Sequence, residues 1–194
     1  MNINDIEQLY FITDIANLPS IRRRGILSHN QAAKIDHKSI AEEGVQEHRK
    51  KKIPGSNNHL HDYANLYFDG HNQMLSARRH LNNSICILII SKDVLELDGI
   101  IITDQNASRA CRFMTLDDGL PLLSKEEIFA PFWINRDDPM EEYRLKGVKC
   151  AEVLVPVKVE VSLITGAYVA NDTALRLFKQ VSSLPVEIRA DIFF

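Results

Sequence analysis

Hydrophobic positions along the chain fall into short runs separated by polar and turn-forming residues. The first run, within residues 6–13, centres on Leu9-Tyr10-Phe11-Ile12 and predicts a strand. Asn17 and Pro19 then mark a helix start and Gly25 its end, since proline suits the first turn and glycine the position past the last. That short helix carries Arg22, Arg23 and Arg24. From Ser28 to Gly70 the pattern is weak, and Lys50-Lys51-Lys52-Ile53-Pro54-Gly55 puts a charge run before turn formers. A long loop with short helical pieces is predicted there, and loops of that length in compact domains tend to carry function.

The second half is richer in strands. Ile85–Ile90, Gly99–Thr103 and Lys149–Pro156 are apolar, β-branched runs, and Val157–Ile164 alternates with Lys158, Glu160 and Ser162 on one side. Ser124 followed by Glu127 is a capping-box pattern, and Asn171 is placed to cap a helix running to Val181. The tail from Val186 to Phe193 alternates as an edge strand would. Strands that are not regularly separated by helices predict an α+β fold. No repeat or linker composition divides the chain, so residues 1–194 are read as a single domain.

Composition narrows the class. With 45% hydrophobic and 25% charged residues the chain is ordinary globular material. The longest apolar run, Ile85–Ile90, is strand-length, so no membrane span is expected. Met1-Asn2-Ile3-Asn4-Asp5 has neither a basic nor an apolar leader region, which predicts a cytoplasmic protein. Cys86, Cys111 and Cys150 are odd in number and widely spaced, which fits reduced thiols rather than a disulfide or zinc framework.

Charge changes the picture more. The net charge of −3 hides a window, residues 20–80, with eleven Lys and Arg against six Asp and Glu. All seven histidines also lie in that window. A basic, histidine-rich stretch within an otherwise acidic chain is either a solvated face or a contact surface for an anionic ligand.

Glu152 is the candidate with chemistry. Strand alternation puts Ala151, Val153 and Val155 on one face and Cys150, Glu152 and Leu154 on the other, so both faces are apolar around one carboxylate. Such a group must find a partner, line a cleft or be compensated by a ligand. As a lone charge in an apolar strand, its removal is expected to leave the fold intact. Asp62-Tyr63-Ala64-Asn65-Leu66-Tyr67-Phe68 places aromatics next to the basic loop, as a core strand would, or as a site for a flat heterocycle and a phosphate would. His59, His61 and His71 raise the question of a metal, but no carboxylate motif completes a ligand set and none is expected. No dinucleotide-binding glycine fingerprint, phosphate-binding P-loop or nucleophile elbow is present.

Four segments, in order and spacing, resemble the DarT family of toxins that ADP-ribosylate DNA. They are Leu9–Leu18 with Gly25-Ile26-Leu27, Tyr63–Phe68 with Met74-Leu75, Thr103–Ala107, and Ala151–Pro156. The resemblance covers most of residues 9–156. It implies an ADP-ribosyltransferase fold in which two small β-sheets form an NAD cleft with peripheral helices. It also implies that Glu152 is the catalytic glutamate, with Arg49 the family's essential arginine. Tyr10, Thr13, Asn17, Arg49, Tyr63 and Tyr67 would then lie at the NAD pocket. Lys50, Lys51, Arg78, Arg79 and Asn106 would contact single-stranded DNA, and a cognate ADP-ribosylglycohydrolase-type antitoxin is implied as partner.

The chain, expected to act as a monomer, departs from the family pattern in two places. Phe11 and Asp14 stand where many members have histidine. Tyr-Ala-Asn-Leu-Tyr-Phe at 63–68 replaces the Tyr-Val-Pro-Phe-Tyr-Phe of the thymidine-modifying subgroup, which leans the expected acceptor toward guanine. Alternatives from other classes are an RNA-directed ADP-ribosyltransferase and a non-catalytic nucleic-acid binding module.

Overall fold

The computed structural model describes all residues from 1 to 194. Ten strands form: β1 (Gln8–Asp14), β2 (Ile26–Leu27), β3 (Tyr63–Tyr67), β4 (Ile85–Ser91), β5 (Ile101–Thr103), β6 (Phe113–Met114), β7 (Glu152–Pro156), β8 (Lys158–Val159), β9 (Ile164–Val169) and β10 (Val186–Ile188). Eight helices join them: α1 (Leu18–Arg24), α2 (His29–Ala32), α3 (Glu43–His48), α4 (Gln73–Ala77), α5 (Leu116–Gly119), α6 (Lys125–Ile128), α7 (Pro139–Val148) and α8 (Asp172–Val181).

Eight strands share one sheet in the order β10-β9-β4-β1-β3-β7-β5-β6, and β2 pairs with β8 alongside it. The large sheet is in effect two four-stranded halves. β1 pairs with β4 along its whole length, from Gln8↔Ser91 to Asp14↔Ile85, and β3 pairs with β7 from Tyr63↔Pro156 to Tyr67↔Glu152. Across the middle, β1 and β3 meet at a single register pair, Tyr10↔Tyr67. Beyond it the two strands part, and a cleft opens between the halves. This is the α+β arrangement of two small sheets around a cleft that the resemblance implies.

β4 and β7 read as continuous apolar runs because both faces of the sheet are covered. Cys86, Leu88 and Ile90 enter the main core with Ala151, Val153 and Val155, while Ile85 and Ile87 enter a second cluster with Leu75 and Cys150. Local signals set the element ends. Ser124 accepts the Glu127 N–H, Asn171 accepts from Thr173 and Ala174, and Gly25 ends α1 at φ 79°.

Three sequence expectations are corrected, and one helix forms where none was expected. The stretch 28–70 is more than a loop with short helices: Tyr63–Tyr67 forms a central strand, β3, which was one of the two readings of that segment. Val157–Ile164 is not a continuous strand. Val157 adopts φ 64°, donates its N–H to the Asp62 carbonyl and accepts from the Ser28 N–H, so the chain leaves β3 for β2 at that point. A β-branched residue there carries strain of about 1–3 kcal/mol, which the two hydrogen bonds hold in place. The tail joins the sheet only at Val186–Ile188, parallel to β9, before Phe193 turns inward and the Phe194 ring stacks on His71. The helix Pro139–Val148 was not anticipated, although Asp138, which accepts the Met140 and Glu141 N–H groups, and Pro139 at its first position are ordinary start signals.

Lys149 links α7 to β7 with its side chain fully buried. Its ammonium pairs with Asp69 and donates to the carbonyls of Ile128 and Ala130 at 2.8 Å each, so all three donors are used. That fixes the turn into Glu152.

Candidate active site

Glu152 opens β7 with a side chain 0% exposed, and its partner is Arg49, the residue that ends α3, at 6% exposure. Arg49 Nη1 and Nη2 donate to Oε1 and Oε2 at 2.9 Å each, a bidentate pair between residues 103 apart in the chain. Oε1 also accepts the Ala107 N–H at 3.1 Å, and the Glu152 N–H donates to Thr103 Oγ1 at 3.1 Å. The carboxylate is therefore gripped by Arg49 at the end of α3 and by the loop after β5, while Thr103 on β5 holds the Glu152 backbone. Burial disfavours the Arg49 charge, but the charge and hydrogen bonds of Glu152 outweigh it and hold the guanidinium more basic than usual.

Tyr67 faces Glu152 across the strand pair. Burial first, and the Glu152 charge second, push its phenol well above its ordinary range, so it remains a protonated hydrogen-bond donor. Burial also lifts the Cys150 thiol to about 11, which rules out a thiolate nucleophile there near neutral pH. Beside α3, the His61 ring stacks on His29 at 4.0 Å. Burial, with His29 and Arg49 nearby, lowers His61 to about 4, so it is neutral at pH 7.

A cavity of about 400 Å³ fills the gap between β1 and β3, within the range of small-molecule sites. β1 supplies Phe11, Ile12 and Thr13, β3 supplies Asn65 and Tyr67, and Arg49 reaches the wall while Glu152 stays behind it. Residues 37–42 form a strap across one side, continuing into α3. Asn17 clasps the strap at both backbone groups of one residue: its Nδ2 donates to the Lys38 carbonyl at 2.9 Å, and its Oδ1 accepts the Lys38 N–H at 2.8 Å. Lys38 also pairs with buried Asp14 at 2.6 Å, and Arg78 Nε donates to the Ile40 carbonyl at 2.5 Å.

Each clasp bond contributes about 1 kcal/mol. Asn17→Ala is therefore expected to speed amide exchange at Lys38–Ala41 by about ten- to thirtyfold, read by hydrogen-exchange mass spectrometry. Unchanged exchange would mean that the Asp14 and Arg78 contacts hold the strap alone.

Of the residues singled out in the sequence, Thr13, Asn17, Arg49, Tyr67, Arg78 and Asn106 come together around this cavity. Tyr10 and Tyr63 are not among its walls. The Tyr10 hydroxyl accepts from Gln8 and its ring packs at 6.4 Å from Tyr168, while Tyr63 accepts from Asn58 beside a smaller hollow bordered by Ser28 and Val157. Lys50 pairs with Glu47 at the surface, and Arg79 is exposed in the turn after α4. Lys51 braces the loop after β5, donating to the Arg109 carbonyl at 2.7 Å. The cavity also gathers residues that the sequence did not single out: Lys38, Arg109, Lys146 and the strap. The helix-start signal at Asp138-Pro139 would have placed Lys146 on a helix, but nothing local links residue 17 to 38.

The family described as ssDNA thymidine ADP-ribosyltransferase, DarT, matches residues 10–194. The chain is 28% identical over 197 residues to a DNA ADP-ribosyl transferase–DNA ADP-ribosyl glycohydrolase fusion protein of Thermosipho africanus (strain H17ap60334). That match covers 96% of this chain and 49% of the fusion protein, so the chain spans about half the length of that relative. Thermus sp. 2.9 DarT in complex with ADP-ribosylated ssDNA superposes with a TM-score of 0.82 at 29% identity, covering 100% of this chain and 99% of that one. The same Thermus protein in complex with NAD+ gives 0.75 at 27% identity, covering 97% and 98%.

Proposed function

The chain belongs to the DarT family, and we propose on that premise that residues 1–194 form one ADP-ribosyltransferase domain. It takes NAD and moves the ADP-ribose to a base of single-stranded DNA, releasing nicotinamide. The observation that carries the reading is the buried Arg49–Glu152 pair at the foot of the cleft between the diverging strands β1 and β3.

In this reaction the bond from the ribose anomeric carbon to the nicotinamide nitrogen breaks, its electron pair neutralising the pyridinium. A base nitrogen forms the new bond and loses a proton. Positive charge develops on the ribose as it does in glycoside hydrolysis, where carboxylates do the same work. Glu152 is held to stabilise that charge and to take the base proton. Its oxygens are covered by Arg49, so a substrate that draws the guanidinium away, by offering it a phosphate or a base edge, also uncovers the carboxylate. Thr13 and Asn17 are assigned to the NAD side. Arg78 and Asn106 are assigned to the DNA side, with Lys50, Lys51 and Arg79 on the approach. An unstacked strand suits this cleft because extruding a base from a duplex costs a few kcal/mol.

For the acceptor we favour guanine, on the Ala64-Asn65-Leu66 departure from the thymidine-modifying pattern, whereas the family description names thymidine. A glycohydrolase of the kind fused in the Thermosipho relative is the partner that reverses the modification. The test is incubation with labelled NAD and mixed-sequence single-stranded DNA or RNA, followed by mass spectrometry of the nucleosides. ADP-ribose on deoxyguanosine is expected. An adduct on thymidine corrects the base, one on RNA alone corrects the acceptor, and none on either, with NAD unaltered, overturns the reading.

A further inference from the structure

Five lysines and arginines border the cavity, and three of them are neutralised: Lys38 by Asp14, Arg49 by Glu152 and Lys146 by Glu142. Arg78 and Arg109 make no ion pair. Arg78 is tied to the strap through the Ile40 carbonyl. Arg109 also borders the cavity, on the loop whose Ala107 N–H holds Glu152, and it is built into place from several directions. Its Nη1 donates to the Tyr143 carbonyl at 2.6 Å, and the guanidinium lies over the Tyr143 ring at 4.1 Å from the centroid. Its backbone N–H donates to the Asn106 carbonyl at 3.0 Å. A side chain at Gly147 would overlap both Gln105 Oε1 and Arg109 Nη1, so the glycine makes room for the guanidinium. Tyr143 itself is 61% exposed on α7.

A guanidinium fixed by stacking and a backbone bond, and left without a carboxylate at the wall of the cavity, is preorganised for an anion. We propose that Arg109, seated on Tyr143, holds a backbone phosphate of the acceptor strand; the inference rests on the single-stranded DNA reading above. NAD offers the same phosphate chemistry. The position favours the acceptor strand: Arg109 is two residues from the Ala107 amide that orients Glu152, where the incoming base must stand. The four donors that Nη1 does not use on Tyr143 include a free pair able to grip two phosphate oxygens.

The test measures transfer to single-stranded DNA by wild type, Arg109→Ala and Arg109→Lys over a range of salt, alongside the thermal shift produced by NAD alone. Arg109→Ala is expected to raise KM for DNA about tenfold and to make the slope of log kcat/KM against log salt shallower by about 0.7, the value for one phosphate on a single strand. The NAD shift and the modified base stay as in wild type. Arg109→Lys keeps the charge, so the salt slope is retained while KM falls between the two. An unchanged KM and slope in Arg109→Ala overturn the proposal. A lost NAD shift reassigns Arg109 to the NAD pyrophosphate, and a changed base reassigns it to base recognition; either also overturns it. A wild-type protein that transfers nothing defeats the underlying reading instead, and this inference falls with it.

Discussion

Glu152→Gln is expected to lower ADP-ribose transfer by a factor on the order of 10³, because it removes both the negative charge that faces the developing cation and the group that takes the proton. The glutamine oxygen can still accept from Ala107 and one Arg49 nitrogen, but its amide group meets the other Arg49 nitrogen donor to donor. Lost stability therefore accompanies lost activity, and the substitution alone does not separate them. Glu152→Asp does. It keeps the charge beside Arg49 and withdraws the carboxylate by one methylene, so the protein should still show a thermal shift with NAD while transfer collapses. Turnover near wild type in folded Glu152→Gln would remove Glu152 from the chemistry.

The second large effect is on stability. Arg49→Ala and Glu152→Ala each leave a buried, uncompensated charge, and each is expected to cost about 3–5 kcal/mol. Such losses are a large part of the total stability of an ordinary domain. Replacing both together by apolar residues of similar volume, Arg49→Met with Glu152→Leu, removes both buried charges and is expected to cost far less than the two alanine variants summed. Urea unfolding of the singles and the pair measures the difference. Additive losses, or singles that cost under about 1 kcal/mol, would mean that the pair is hydrated and open in solution. The sequence expectation that removing the Glu152 charge leaves the fold intact is thus corrected, because the charge is not alone: Arg49 and the Ala107 amide both face it.

Much of the scaffold was legible because its signals are local. The proline and glycine around α1, the serine before α6 and the asparagine before α8 act on neighbours within one turn, and each ends or starts its helix where the pattern places it. β4 could be read from six consecutive apolar residues. Glu152 was legible too, as a carboxylate in a strand with two apolar faces, whose burial had to be compensated by something. Its partner was not legible from pattern, and Arg49 came from family resemblance.

What the tertiary structure decided is which distant groups meet. Arg49 reaches Glu152 across 103 residues, Lys38 reaches Asn17 across 21, and Lys51 leaves the basic run to brace the loop at Arg109. The break at Val157 also depends on partners elsewhere, Asp62 and Ser28, and not on the alternation around it. Helix caps and strand periodicity arise from backbone geometry over a few residues, so they are written in composition and spacing. Contacts across the cleft depend on how the two sheet halves part at Tyr10↔Tyr67, and that angle is set by packing summed over the whole core.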